Sequence, residues 1–263
     1  MARQLHAGYD ARWHGMHRVN PTHAMILAAG LGTRMRPLTL DRPKPLIDVA
    51  GKTLIDWNLD WLQAAGFQQV VVNSSYMADM LEQHLATRAV PRVHVSREGA
   101  PPLETGGGVK KALPLLGENV FLTMNSDAIF PPVDGPHPVQ TLVHAWDDTA
   151  VDFLLLVVPR AHAVGWEGAG DFIVEADGRV RRPKAGEDAP YLFSGVELMH
   201  PRAFAEAPEG AFSLSKLWAR GQQPDGYFTR LRAVVHHGPW LNVGDLAGLA
   251  AAQRYYGVAV TGN

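Results

Sequence analysis

The sequence predicts an α/β fold: a mixed, mostly parallel central sheet flanked by helices, with a smaller β-rich part towards the C-terminus. Three observations predict it. In the first half, short apolar runs alternate with segments of helical period, the order a parallel sheet requires. Three of those runs end in glycine or a polar residue, where ligands of such sheets sit. In the second half, apolar runs follow one another with turn residues between them, which reads as β-rich structure.

Ala24–Ala29 is short and apolar and stops at Gly30, a buried strand entering a loop. Leu54–Ala65 places Leu54, Ile55, Leu59, Trp61 and Leu62 at roughly helical spacing, and Gly66 supplies its stop. "QQVVVNSS" is a second strand with Asn73 at its C-terminal end. Met77–Leu85 reads as a helix, and "RVHVSRE" alternates as a third strand. "NVFLTMNSDAIF" is a fourth strand, apolar until Asn125 and Asp127. Further on, "VDFLLLVVP" is a strand, "GDFIVEADGRVRRP" a hairpin turning at Asp177–Gly178, and "APYLFSGVELMHP" another strand. Leu214–Arg220 begins a helix, "LRAVVHHGPWLNVGD" gives a strand and loop, and a last helix covers Leu246–Tyr256.

With 263 residues, 46% of them hydrophobic, the chain can bury a sizeable core. No linker or repeat divides it, so residues 24–258 read as a single domain after an N-terminal extension, 1–23. That extension is polar and lacks the apolar run of a signal peptide, and its His14 and His17 read as surface residues. There is no cysteine, which excludes disulfides, thiolate zinc sites and cysteine nucleophiles and suits a cytoplasmic setting. The net charge of −2 gives no basic field for nucleic acid, so any anion site must be local. No apolar stretch reaches the roughly 18 residues of a membrane span. Neither nucleic acid nor membrane is expected as a partner.

One local anion site stands out. In "MILAAGLGTRMRPLTLDRPKPL", Gly30 and Gly32 can take positive φ and let the backbone approach a phosphate. Arg34 adds a planar multi-donor cation, and Lys44 a point charge between Pro43 and Pro45. The loop is neither a Walker A motif nor a G-x-G-x-x-G fingerprint. In "PLETGGGVKKAL", Gly106–Gly108 expose backbone just before a helical pattern, either to read a flat base or as a flexible helix entry. Asp127, behind "VFLTM", is costly to bury unless paired or bound to a cation. It is the best candidate ligand for Mg²⁺, which phosphoryl chemistry uses and which prefers oxygen donors.

"LAAGLGTRMRPLTLDRPKPLIDVAGKTLI" resembles the signature of the sugar-1-phosphate nucleotidyltransferases, over about Met25–Ala252. The resemblance implies the Rossmann-like nucleotidyltransferase fold and a reaction coupling a nucleoside triphosphate to a sugar 1-phosphate, with pyrophosphate released and Mg²⁺ as cofactor. It places the nucleotide loop on Ala29, Gly30, Gly32 and Thr33. It puts the catalytic arginine on Arg34 and the bridging lysine on Lys44; Asn73 joins the expected nucleotide site by its place at the end of the second strand, where such sheets bind ligands. "ETGGG" is similar to the base loop of short bacterial members acting on N-acetylmuramate 1-phosphate, which puts Glu104, Thr105, Gly106 and Gly107 near the base. Those members point to UTP and to cell-wall recycling.

The same resemblance makes Asp127 the metal aspartate and Asn125 a substrate contact. "GAGDFIV" and "YLFSGVELMHP" point to Asp171, Ser194, Gly195 and Glu197 for the sugar. "RVRRPK" offers Arg181, Arg182 or Lys184 to a phosphate or a lactyl carboxylate, or forms a solvated turn. "PWLNVGDLAGL" departs from the family pattern: Asn242 stands where relatives carry a second metal aspartate, and Asp245 where they carry threonine. Asp245 either compensates from one turn away or caps the next helix. Longer relatives add an acyltransferase after this point, which is not expected here. The alternatives are mannose, glucose or heptose 1-phosphate as substrate, or a non-catalytic nucleotide-sugar-binding protein.

Overall fold

A computed structural model of the chain describes residues 20–258. The expectations for His14 and His17 lie outside those residues. The first strand, β1 (His23–Leu27), has no polar face: Ala24 and Ile26 enter one apolar cluster and Met25 the other. Such a strand belongs at the centre of a sheet covered on both sides. Three single helical turns, Thr33–Met35, Leu38–Leu40 and Lys44–Leu46, follow it and lead into the hairpin β2 (Asp48–Val49) and β3 (Lys52–Thr53).

Helix α1 (Leu54–Ala64) starts where Thr53 accepts the Asp56 N–H at 3.3 Å and donates to Asp56 Oδ2 at 2.6 Å, a reciprocal cap. Leu54, Ile55, Leu59 and Leu62 form its buried stripe. After it come β4 (Gln69–Ser74), α2 (Ala78–Leu85), β5 (Arg92–Arg97), α3 (Glu104–Leu116) and β6 (Phe121–Asn125). Helix α3 contains the three glycines, whereas the sequence placed them before it. Close packing, described below, overrides their weak helix propensity.

The expected fourth strand divides. Beyond β6 the backbone changes partner, because Ser126 N–H still bonds the Leu27 carbonyl while the Asp127 carbonyl accepts Val243 N–H. Residues Ala128–Ile129 (β7) therefore join a separate small sheet. Helix α4 (Pro138–Ala145) is an element that sequence periodicity did not reveal. It emerges directly from a stretch holding Pro131, Pro132, Pro136 and Pro138, whose breaker residues hide its short helical period.

The remainder is β8 (Phe153–Pro159), β9 (Ala163–Val164), β10 (Ile173–Val174), β11 (Arg179–Arg181), β12 (Tyr191–Met199), α5 (Ser215–Ala219), β13 (Tyr227–Val235), β14 (Trp240–Asn242) and α6 (Leu246–Tyr255). The main sheet has nine strands in the order β10-β11-β13-β8-β12-β6-β1-β4-β5. Only β12 and β11 run against the others, so the sheet is mixed and mostly parallel. Helices α1, α2 and α4 cover one face, and α3 and α5 the other.

The small sheet, β7-β14-β9, packs with α6 in a third cluster. Met35, Ile47, Val49 and Leu54 of the post-β1 region share that cluster with Ile129, Leu241 and Val243. That packing ties the glycine loop to the strands flanking Asp127 and Asn242. No helix among the described residues is long and apolar enough to cross a membrane.

Candidate active site

At the C-terminal ends of β1, β4 and β6 lies a hollow of about 380 Å³, bordered by Ala29, Gly30, Gly32, Thr33, Arg34, Lys44, Asn73, Glu98, Glu104 and Thr105. A second hollow, about 210 Å³, adjoins it towards β12 and β14. Arg34, Asn125 and Asp127 border both, so the two form one cleft.

Gly32 takes φ 61, and a Cβ there would stand 2.9 Å from Thr39 Cγ2 and 3.0 Å from Lys44 Cβ. Only glycine allows that turn. Gly30 differs: its φ is not positive and the space around it is open. The Gly32 carbonyl accepts Met35 N–H at 2.9 Å and the Thr39 hydroxyl at 2.8 Å. Among the described residues, the amides of Ala29 to Gly32 meet no acceptor. A run of free N–H groups on a loop bordering a cleft is a ready cradle for phosphate oxygens.

Lys44 Nζ lies 2.5 Å from Asp127 Oδ2, with the two side chains 12% and 23% exposed. The buried Pro43 and Pro45 hold the lysine's backbone, and Ile47 N–H closes its helical turn on the Lys44 carbonyl at 3.0 Å. The pairing spans 83 residues of sequence and relieves the cost of a half-buried carboxylate. Arg34 is exposed, and its guanidinium lies beside Gly244, the second residue after β14.

Behind the loop runs a buried polar relay. Asn73 Oδ1 accepts Ala28 N–H at 2.6 Å, and Asn73 Nδ2 donates to Glu98 Oε1 at 2.7 Å. Glu98 Oε2 in turn accepts Leu103 N–H at 2.7 Å. Glu98 is 6% exposed and was not singled out from sequence, although it ends the "RVHVSRE" strand as a polar residue at a strand terminus. The relay joins the start of the glycine loop to the segment entering α3.

The triple glycine serves that packing. A Cβ at Gly106 would fall 2.3 Å from the Phe212 ring, at Gly107 2.3 Å from the Gly210 carbonyl, and at Gly108 2.6 Å from Glu98 Oε1. The amides of Gly106 and Gly107 both donate to the Phe212 carbonyl, at 2.7 and 3.1 Å. These two glycines therefore do not border the cleft, and their N–H groups are not free to read a base, contrary to the sequence expectation. Glu104, at φ 57, and Thr105 do border it. The Thr105 hydroxyl accepts Leu214 N–H at 2.9 Å.

On the other side, Asn125, Asp171, Ser194 and Gly195 border the smaller hollow with Trp166, Phe172, Arg182, Trp218 and Trp240. A bulge between Phe193 and Val196 re-aims β12 there. Gly195, φ 84, lets that strand pass Asn125, whose Cβ would be 2.9 Å from any Cβ at this position. The Ser194 hydroxyl donates to the Leu156 carbonyl at 2.7 Å, so it holds the bulge rather than facing the hollow as a free donor. Glu197 does not border the hollow. Past the bulge β12 is buried on both sides, and Glu197 accepts the indole N–H of Trp218 at 3.2 Å behind the wall. Burial pushes its pKa up to about 8.

Asn242 borders the smaller hollow, whereas Asp245 caps α6 by accepting Gly248 N–H at 2.9 Å. Capping is thus its role in the fold. Among the described residues no cluster of three or more His, Cys, Asp or Glu is arranged to hold a metal. A cation at Asp127 would have one carboxylate, the amide oxygens of Asn242 or Asn125, and otherwise phosphate and water. That hard oxygen set fits Mg²⁺, which commonly keeps substrate and water ligands.

The Nucleotidyl transferase family matches residues 23–166. The N-acetylmuramate alpha-1-phosphate uridylyltransferase of Caulobacter vibrioides is 46% identical over 89% of this chain and 97% of its own length. Its counterpart in Neisseria meningitidis serogroup B is 36% identical over 89% of this chain and 98% of its own. Among solved structures, HddC from Yersinia pseudotuberculosis superposes with a TM-score of 0.71 at 22% identity, covering 89% of this chain and 99% of that one. The chain belongs to the nucleotidyl transferase family. It is a sugar-1-phosphate nucleotidyltransferase.

Proposed function

We propose that this enzyme transfers a uridylyl group from UTP to N-acetylmuramate 1-phosphate and releases pyrophosphate. The observation that carries the reading is the Lys44–Asp127 pair at the junction of the two hollows, with Arg34 bordering both. The relatives from Caulobacter and Neisseria supply the choice of base and sugar. A cytoplasmic role in cell-wall recycling follows from that substrate, and the absence of cysteine is consistent with a reducing compartment.

The triphosphate lies in the larger hollow, its phosphates on the Ala29–Thr33 amides and the Arg34 guanidinium. The sugar phosphate enters from the smaller hollow past Asn125. One of its oxygens attacks the α-phosphorus in line, and pyrophosphate leaves on the opposite side towards Arg34. The nucleophile is already an anion, so no general base is needed. Lys44 neutralises charge shared between the α-phosphate and the incoming phosphate. Asp127, with Asn242, would hold Mg²⁺, which supplies further charge neutralisation at the phosphate oxygens. Catalysis is positioning plus electrostatic stabilisation.

The test is pyrophosphate release over a grid of nucleoside triphosphates and sugar 1-phosphates, with and without a chelator. UTP with N-acetylmuramate 1-phosphate should give the highest kcat/KM, and chelation should abolish it. A higher kcat/KM with mannose, glucose or heptose 1-phosphate, or full turnover in chelator, would overturn the reading.

A further inference from the structure

Three basic residues, Arg181, Arg182 and Lys184, lie at and just beyond the end of β11, and the structure separates them. Arg181 is committed to Glu187 by two parallel contacts, 2.6 Å from Nη1 to Oε2 and 2.5 Å from Nη2 to Oε1. Lys184 does not border the hollow. Arg182 does, and its engagement within the fold is slight. Its Nη1 lies 3.3 Å from the Asp171 carbonyl oxygen and 3.8 Å from Asp171 Oδ1, beyond hydrogen-bond length in the second case. The guanidinium stacks over the Phe172 ring at 4.2 Å, which fixes its plane. Most of its five donors are therefore held in a set orientation without a carboxylate to receive them.

Asp171 is arranged to permit this. Its Oδ2 accepts Phe193 N–H at 2.9 Å, so the carboxylate is anchored to β12 and does not swing onto the guanidinium. The cleft has cationic groups at two places: Arg34 with Lys44 beside Asp127, and Arg182 among the aromatic walls of the smaller hollow. A sugar 1-phosphate must place its anomeric phosphate at the first. Its remote ring substituents then face the second.

We infer that Arg182 is a specificity residue that receives a carboxylate carried on the sugar ring away from the anomeric carbon. The inference rests on the substrate reading above and deepens it. N-Acetylmuramate bears a lactyl ether on C3 that ends in a carboxylate, and N-acetylglucosamine is the same sugar without it. A planar guanidinium grips a carboxylate with two parallel hydrogen bonds, so the site distinguishes the two sugars by one charge-assisted contact.

The experiment measures kcat/KM with UTP for N-acetylmuramate 1-phosphate and N-acetylglucosamine 1-phosphate, in wild type, Arg182→Ala, Arg182→Lys and Arg182→Glu. The ratio of the two values should fall about tenfold or more in Arg182→Ala. The loss should appear in KM for the muramate, should deepen in Arg182→Glu and be partly restored in Arg182→Lys. A structural defect would lower both substrates together, so an unmoved ratio or equal losses overturn the assignment. If wild type uses the muramate and the ratio stays fixed, the arginine's role alone falls. If wild type does not use the muramate with any triphosphate, the substrate reading falls and takes this inference with it.

Discussion

At the larger hollow, β1, β4 and β6 run parallel and end together, and the loop after β1 adds free backbone amides to a lining that includes Arg34, Lys44 and Asp127. On the sugar side, β12 runs against its neighbours, carries a bulge, and meets residues from β14, from the β10–β11 hairpin and from α5. The first region is built around one glycine-bearing loop, to which Asn73, Glu98, Thr105 and Asp127 are brought from later segments. The second is assembled from segments far apart and is lined by aromatic and charged side chains. On the proposed reading, backbone donors would take the phosphates of any triphosphate and leave little freedom to specialise. A wall of side chains can be altered one residue at a time, so on that reading substrate choice would lie with the smaller hollow.

The sharpest test of the division is the group at its boundary. Lys44→Ala should lower kcat by at least ~100-fold, the usual loss for one oriented charge contact in a phosphoryl-transfer site. Wild-type turnover would mean that the pair with Asp127 is purely structural. A smaller effect, confined to one side, is expected from the relay behind the loop. Glu98→Ala should raise KM for the triphosphate by ~10-fold, because the Ala28 and Leu103 ends of the nucleotide hollow lose their shared brace. KM for the sugar phosphate should move little; an equal rise in both would erase the distinction between the two regions.

A third effect, outside the reacting groups, is on stability rather than turnover. Glu197 carries a proton in the folded protein up to about pH 8, whereas in the unfolded chain it ionises near 4.5. Between those values the native state binds more protons than the unfolded state, so stability falls as pH rises. Relative to Glu197→Gln, wild type should lose up to ~1.4 kcal/mol per pH unit across that window. Parallel denaturation midpoints for the two proteins from pH 5 to 8 would show that the carboxyl is not held neutral behind Trp218.

The residues bear out this contrast in how far each region could be read beforehand. Gly32, Arg34 and Lys44 lie within a dozen positions of one another, and their charge and turn chemistry are visible as text. Asn73, Asn125 and Asp127 were legible because each is a polar residue at or just after the end of an apolar run. Glu98 obeys the same rule and was passed over, since its run alternates and its value lies in a bond to Asn73 that no linear pattern displays. Gly106–Gly108 misled in the opposite direction: their spacing suggests an exposed loop, while their function is to admit Phe212, Gly210 and Glu98 at distances no side chain would tolerate. Glu197 was expected at the sugar from the resemblance of "YLFSGVELMHP" to the sugar strand of the family, whereas β12 beyond the bulge between Phe193 and Val196 is buried and Glu197 bonds Trp218 instead.

The sequence by itself determined the α/β class, the order of elements in the first half and the glycine loop after β1 with its neighbouring cations, because periodicity, glycine and charge act over a few neighbouring residues. Tertiary structure alone decided that Lys44 meets Asp127 across 83 residues, that Asp245 caps a helix while Asn242 borders the cleft, and that Arg182 rather than Arg181 faces the hollow. Those outcomes depend on which strands pair and which side chains are already satisfied, and both are settled only when distant segments pack together.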